Sequence, residues 1–145
     1  MSKANDAVEC HNKGYNCSQS VFSTYCEQLG LEDKESALKL SCGLGGGMGR
    51  LGETCGAVTG AYLLIGLKYG KVAQDDNNAK EVTYATVQEF AKKFIERNGS
   101  TNCKELLGVD LLTGDKSVVS ERVKQICPKM IKDAAEIIEE MLDLA

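Results

Sequence analysis

The chain lacks the short motifs by which most cysteine-based sites are identified. It contains no Cys-x-x-Cys pair, which excludes the local signature of thioredoxin-like redox sites and of zinc ribbons. Without Cys-x-x-Cys-His it also has no site for c-type haem attachment. The one histidine, His11, stands among polar residues, so we expect it in solvent rather than in a catalytic Cys–His pair. Any site that several cysteines share must therefore be assembled by the fold.

An excess of basic charge and a long apolar run are also missing. The 17 Lys and Arg residues are scattered among 21 Asp and Glu residues, for a net charge of -4, which argues against nucleic acid as a partner. The longest apolar stretch, residues 57–67, is too short to span a bilayer, so no membrane insertion is expected. The N-terminal residues have no apolar core, so we expect no signal peptide and predict a cytoplasmic protein.

Strand alternation and internal repeats are absent too, whereas apolar residues recur at helical spacing along most of the chain. We predict helices over residues 3–13, 17–29, 33–42, 55–69, 81–97, 100–107, 121–126 and 128–144. The break between the last two is placed at Cys127-Pro128, because the residue before proline disfavours the α region, and residues 109–120 are predicted to be a loop.

These patterns predict an all-α fold: one domain over residues 1–145, a compact bundle of about five to six helices. The helix that begins at Cys55 is expected at its centre. It carries the small residues Gly56, Ala57, Gly60 and Ala61, which allow another helix to pack unusually close.

Seven cysteines are present, an odd number that makes a complete set of disulfides unexpected. Four of them fall at predicted helix starts. Three of these follow an oxygen-bearing residue that can cap the helix, and the fourth precedes Pro128: they are Cys17 after Asn16, Cys55 after Thr54, Cys103 after Asn102, and Cys127. Cys10 and Cys26 lie within predicted helices and Cys42 ends one, and their roles are left open.

A thiol at a helix start faces unpaired N–H groups and the positive end of the helix dipole. Both favour the thiolate, so we expect the pKa of these cysteines to lie below the ordinary value of about 8.5. Arg50 would add to this effect if it folded back over the start of the Cys55 helix. The plain alternative for any single cysteine is a small buried apolar side chain.

Ten of the 15 glycines lie in residues 43–70. Gly47, Gly49 and Gly52 formally satisfy G-x-G-x-x-G, but no strand precedes them, so a dinucleotide site is not expected. Because glycine has no Cβ, the backbone at Gly47, Gly49 and Gly56 can approach a ligand closely, and these are the candidate cofactor-binding positions.

Several segments together resemble a known family: GYNCSQSV at residues 14–21, GGGMG at 45–49, CGAVTG at 55–60, and the later Cys103 and Cys127-Pro128. The chain is similar to the C_GCAxxG_C_C family of redox-active proteins over nearly its whole length. The resemblance implies four characteristic cysteines, which correspond here to Cys17, Cys55, Cys103 and Cys127. These are the same four that the helix map selects.

Three functions remain open. The leading one is thiol–disulfide exchange, as in a thiol-disulfide oxidoreductase, with Cys55 as the most reactive thiol and Cys17, Cys103 or Cys127 resolving it. Its partner would be a redox protein or a small thiol. The second is a zinc or iron–sulfur site on the same four thiolates, so no cofactor is predicted with certainty. The third is a helical interaction module without catalysis, and a homodimer is left open.

Overall fold

The computed structural model describes residues 1–144 and builds them from helices joined by short turns. Seven helices make up this part of the chain: α1 Ala4–Asn12, α2 Cys17–Tyr25, α3 Lys34–Cys42, α4 Gly56–Tyr69, α5 Asn77–Asn98, α6 Cys103–Leu107 and α7 Lys116–Leu142. Residues Glu27–Leu29 add one 3₁₀ turn, and Gly45–Met48 form a turn with left-handed backbone angles. No strand occurs in residues 1–144, and the predicted all-α class is confirmed.

Side-chain caps explain where several of these helices begin. Asn16 and Gln19 form a reciprocal capping box at the start of α2, and Asp33 and Asn102 accept from backbone N–H groups of α3 and α6. These three caps were predicted from the sequence. Helix α5 starts earlier than predicted, because Asp76 caps it by accepting from the N–H of Ala79.

Helix α4 lies at the centre of the bundle, as predicted, packed against α2, α5 and α7. Its side chains are buried from Gly56 to Ala61 and again at Leu64 and Ile65. The contact with α2 is very close. A Cβ added at Gly60 would lie 2.8 Å from the carbonyl oxygen of Ser18, and one at Gly56 would lie 3.1 Å from the Cβ of Cys17. Glycine is therefore required where α4 crosses the start of α2.

The prediction of a helix break at Pro128 is wrong. Helix α7 runs without interruption from Lys116 to Leu142 and includes Pro128, so residues 116–120, predicted as loop, are helical as well. A proline inside a helix costs about 3 kcal/mol, because one N–H is lost and the ring crowds the preceding turn. Burial of several large side chains on the core face of α7 offsets that cost: these are Met130, Ile131, Ile137, Ile138 and Leu142.

A buried carboxylate on α7 fastens the N-terminal segment to the bundle. Glu139 accepts hydrogen bonds from Ser2 Oγ at 2.8 Å, from the Lys3 backbone N–H at 2.6 Å and from the Tyr25 hydroxyl at 2.7 Å. Burial and the bond to Glu139 raise the pKa of Tyr25 far above its ordinary value, so it stays a donor. In residues 1–144 no helix combines the length and the apolar character needed to cross a lipid bilayer.

The two glycines of α4 provide a matched test of the close crossing. Gly60→Ala is expected to lower the free energy of unfolding by about 1–3 kcal/mol, because its methyl group would press on the Ser18 carbonyl. Gly66→Ala lies in the same helix with nothing within 4 Å of its added Cβ, so it should be neutral or stabilise by up to about 1 kcal/mol. Urea denaturation of both variants measures the difference, and equal effects would contradict the packing described.

Candidate cysteine site

A cavity of about 920 Å³ opens between the start of α2, the glycine turn, the start of α4 and the first half of α7. The four cysteines selected from the sequence all line it: Cys17, Cys55, Cys103 and Cys127. Their residues are 8%, 5%, 7% and 7% exposed, whereas Cys26 in the core is 0% exposed. The four cysteines are thus buried in the bundle but are in contact with the space of the cavity.

Three of the four stand at helix starts, as predicted. Cys17 and Cys103 are the first residues of α2 and α6. Cys55 is itself the residue that precedes the first turn of α4, so the prediction that Thr54 caps this helix is wrong. Thr54 instead pairs with Asn102 in an isolated antiparallel bridge.

The same bridge holds two of the helix starts together. The N–H of Cys55 donates to the Thr101 carbonyl at 2.7 Å, and the N–H of Cys103 donates to the Glu53 carbonyl at 2.6 Å. These bonds use two of the N–H groups that a helix start leaves without a partner. They fix the positions of Cys55 and Cys103 relative to each other although the two are far apart in sequence.

Cys127 does not stand at a helix start, because α7 continues through Pro128. It reaches the cavity from the interior of that helix. The helix-dipole argument made for this cysteine from the sequence therefore does not apply. Cys127 nevertheless lines the same cavity as the other three.

The glycine turn forms another wall of the site. Five consecutive residues have left-handed φ angles between 65° and 68°: Gly46, Gly47, Met48, Gly49 and Arg50. Gly47 is buried against α6, and a Cβ there would lie 2.7 Å from the Cβ of Cys103. Of the three candidate cofactor-binding glycines, Gly49 and Gly56 line the cavity, whereas Gly47 packs behind Cys103. Their role in binding a cofactor stays a prediction.

The expected lowering of pKa at the helix starts is wrong for three of the four thiols. Burial raises the pKa of Cys55 to about 12, and the N–H groups of Ala57 and Val58 oppose this only in part. Burial raises the pKa of Cys103 to about 11. Loss of water around the charged form thus outweighs the helix-start donors at these positions.

Cys17 and Cys127 behave as a pair. The interaction between the two thiol groups lowers the pKa of Cys127. The same interaction, together with burial, raises the pKa of Cys17 well above its ordinary value. Removing one proton from the pair is therefore favoured at Cys127, and removing the second is opposed by the charge already present.

Sequence reasoning missed the apolar wall of the cavity because part of it lies in the segment predicted as loop. Val119, Val123, Ile126 and Met130 line the cavity from α7, and leucines from α6 and the following loop complete this wall: Leu106, Leu107, Leu111 and Leu112. The spacing of Val119, Val123, Ile126 and Met130 is helical and was a usable signal.

The remaining cysteines and the histidine differ in their surroundings. Cys42 is exposed yet also lines the cavity, and His11 lines it half-buried, with Nδ1 3.0 Å from the Tyr15 carbonyl. Cys10 lies 3.8 Å from the Ser23 hydroxyl, outside this cavity, and Cys26 is enclosed in the core. All seven cysteines are free thiols.

A metal centre was the alternative use of the four cysteines. Among the residues that the structure describes, no group of three or more His, Cys, Asp or Glu side chains is arranged to hold a metal ion. As placed, the side chains of Cys17, Cys55, Cys103 and Cys127 do not fit zinc or an iron–sulfur cluster.

Comparison with known proteins agrees with the cysteine pattern. Residues 15–141 match the family described as "Putative redox-active protein (C_GCAxxG_C_C)". A protein of Archaeoglobus fulgidus, described as uncharacterized, is 27% identical over 137 residues, which cover 90% of this chain and 87% of that protein. No solved structure matches the chain. The chain thus belongs to the C_GCAxxG_C_C family of redox-active proteins.

Proposed function

We propose that the protein carries out thiol–disulfide exchange in the cavity, with Cys127 as the attacking thiolate and Cys17 as the resolving thiol. The observation that carries this proposal is that both cysteines line one cavity large enough for a substrate, where the interaction of their thiol groups lowers the pKa of Cys127. Thiolate is the nucleophilic form of cysteine, and a lowered pKa favours it at Cys127. Cys55 is not assigned as the nucleophile, because burial raises the pKa of its thiol and keeps it protonated.

The exchange balances over two steps. The Cys127 thiolate attacks one sulfur of a disulfide R–S–S–R′, forming a mixed disulfide with R and releasing R′–S⁻. Cys17 then gives its proton to a departing thiolate, and its sulfur attacks the Cys127 sulfur. A Cys17–Cys127 disulfide forms, R–S⁻ leaves, and two electrons have passed from the protein to the substrate. Run in reverse, the same steps oxidise the two thiols to the disulfide R–S–S–R′ and reduce the Cys17–Cys127 disulfide.

Cys55 and Cys103 complete the proposed set of redox residues. Their raised pKa values keep them as thiols near neutral pH, when Cys127 is the more readily ionised. The charges that the other cysteines would carry also contribute to raising the pKa of Cys17, so ionisation at one position disfavours ionisation at the next. This arrangement restricts the reaction to one thiolate at a time.

The compartment and the partner follow from the same chemistry. Seven free thiols suit a reducing compartment, and we place the protein in the cytoplasm on that ground. The substrate side would be a small thiol or a redox partner protein. Whether two copies associate as a homodimer stays open in this proposal.

Mild oxidation followed by mass spectrometry tests which thiols react. Sub-stoichiometric hydrogen peroxide is expected to oxidise Cys127 to the sulfenic acid, which condenses with Cys17 to give a disulfide and water. Cys26, with 0% exposure, serves as the internal control and should remain a free thiol until the protein is denatured. Oxidation confined to Cys55 and Cys103, with Cys17 and Cys127 still reduced, would contradict the assigned roles.

The interaction between Cys17 and Cys127 predicts a shift in the pH dependence of alkylation. In Cys17→Ala the thiol that lowers the pKa of Cys127 is lost, so that pKa should rise and alkylation of Cys127 by iodoacetamide should begin at higher pH than in the wild type. Cys17→Ser keeps a donor of similar size and should show a smaller shift. Rates at Cys127 are followed by mass spectrometry between pH 6 and 10. An unchanged profile in Cys17→Ala would refute the thiolate role of Cys127.

Metal analysis separates the proposal from its alternatives. Protein purified without oxygen is expected to contain far less than one zinc or iron per chain and to have all four cavity thiols open to alkylation after denaturation. One equivalent of zinc or iron, lost together with the protection of the four thiols on chelation, would favour the metal centre. Absence of any exchange activity in the reduced wild-type protein would favour the interaction module instead.

A further inference from the structure

The charges that line the cavity are of one sign. The chain has more acidic than basic residues, with a net charge of -4. Yet the side chains around the cavity include Arg50, Lys116 and His11 and not one Asp or Glu among the described residues. The charged side chains of this cavity are thus all basic, although the protein as a whole has more acidic than basic residues.

Neither of the two permanent cations is engaged elsewhere. Arg50 and Lys116 are exposed and make no ion pair or side-chain hydrogen bond with another described residue. Two acidic residues of the loop before α7, by contrast, have partners. Asp115 accepts from the N–H groups of Ser117 and Val118, and Asp110 pairs with Lys104. The two cations are thus left available to a ligand.

Arg50 is also held in a costly backbone conformation. Its φ angle is 68°, in the left-handed region that residues other than glycine and asparagine seldom adopt. Such a conformation persists only where surrounding structure enforces it, and it is concentrated at ligand sites. Here the turn that enforces it also packs Gly47 against Cys103, so Arg50 is carried by the same turn that closes the cysteine site.

Much of the cavity wall is apolar. Val119, Val123, Ile126 and Met130 of α7 face it together with four leucines from residues 106–112. A volume of about 920 Å³ lies within the range of cavities that enclose small organic molecules. A wholly polar anion such as phosphate would leave this wall without a contact, whereas a neutral apolar molecule would leave the cations without one.

We infer that the cavity binds a small organic anion with an apolar body, whose acidic group pairs with Arg50 and Lys116 at the solvent side while its body lies along α7. This inference rests on the proposed function, in which the same cavity contains the reacting thiols, and it names the substrate class. On that basis the exchanged molecule is an anionic thiol or disulfide with an aromatic or alkyl body. The cations select for charge, and the α7 wall selects for apolar surface.

Two dyes of nearly equal shape test this on the reduced, full-length protein. The anion 8-anilinonaphthalene-1-sulfonate should bind with a fluorescence increase, and the neutral N-phenyl-1-naphthylamine, which lacks the sulfonate, should bind more weakly. Arg50→Gln and Lys116→Gln should each weaken the anion by roughly two- to fivefold in Kd, the strength of an exposed ion pair. The neutral dye should keep its Kd. Raising the salt concentration should reproduce the same difference.

Matched variants show whether the charge at these positions is responsible. Arg50→Lys keeps the charge and should retain most of the affinity for the anion. Lys124→Gln removes an exposed charge from α7 that does not line the cavity and should change neither dye. Circular dichroism of each variant verifies that the fold is kept, since exposed dye-binding surface in a partly unfolded chain would raise both signals.

The outcomes are separable from those of the thiol experiments. Absence of anion binding, equal losses for both dyes, or an effect of Lys124→Gln as large as that of Arg50→Gln would overturn the ligand class. Those results would not bear on whether Cys17 and Cys127 form a disulfide on oxidation. If the dyes behave as expected while Cys17 and Cys127 fail to form a disulfide, the proposed exchange fails and the anion site stands.

Discussion

The structure depends most on the close crossing of α2 and α4. Gly60 lies against the Ser18 carbonyl, and Gly56 lies against the Cβ of Cys17 and the backbone of Gly45. At these distances a side chain at position 56 or 60 would push the two helices apart. Because Cys17 begins α2 and Cys55 precedes α4, the crossing brings two of the four cysteines to the same cavity. Gly56, a candidate ligand-binding position in the sequence, thus also has the packing role that the sequence predicted for it and for Gly60.

Competition between burial and local hydrogen bonding decides the chemistry of the site. Helix starts stabilise a thiolate by donors and dipole, typically by 0.3–1 kcal/mol at the surface and about 2 kcal/mol in favourable cases. Desolvation of a fully buried charge shifts a pKa by up to about 3–5, which is a larger effect. At Cys55 and Cys103 desolvation dominates, and both thiols are harder to ionise than ordinary cysteine. At Cys127 the interaction with the Cys17 thiol outweighs desolvation, and the pKa is lowered.

Continuity of α7 through Pro128 gives the site its fourth cysteine and its apolar wall. A break at Cys127, as the local preference of proline predicts, would have separated Val119 and Val123 from Met130 and moved Cys127 to a free helix end. Instead the C-terminal half of α7 is anchored in the core by Ile131, Ile138 and Leu142 and by the bonds that Glu139 accepts. Tertiary packing overrides the local preference of proline, because the free energy gained by burying these side chains exceeds the cost of one lost hydrogen bond.

The sequence alone was sufficient for the all-α class, the central place of α4, and the helix starts at Cys17 and Cys103. These follow from local features: small residues at helical spacing, and Asn16 and Asn102 as caps, whose hydrogen bonds span only three residues. It also identified four of the five cysteines that line the cavity. The tertiary structure decided which of them ionises, how Cys127 reaches the others, and where the cations and the apolar wall of the cavity lie. Desolvation and thiol–thiol contacts depend on residues distant in sequence, and no local pattern specifies them.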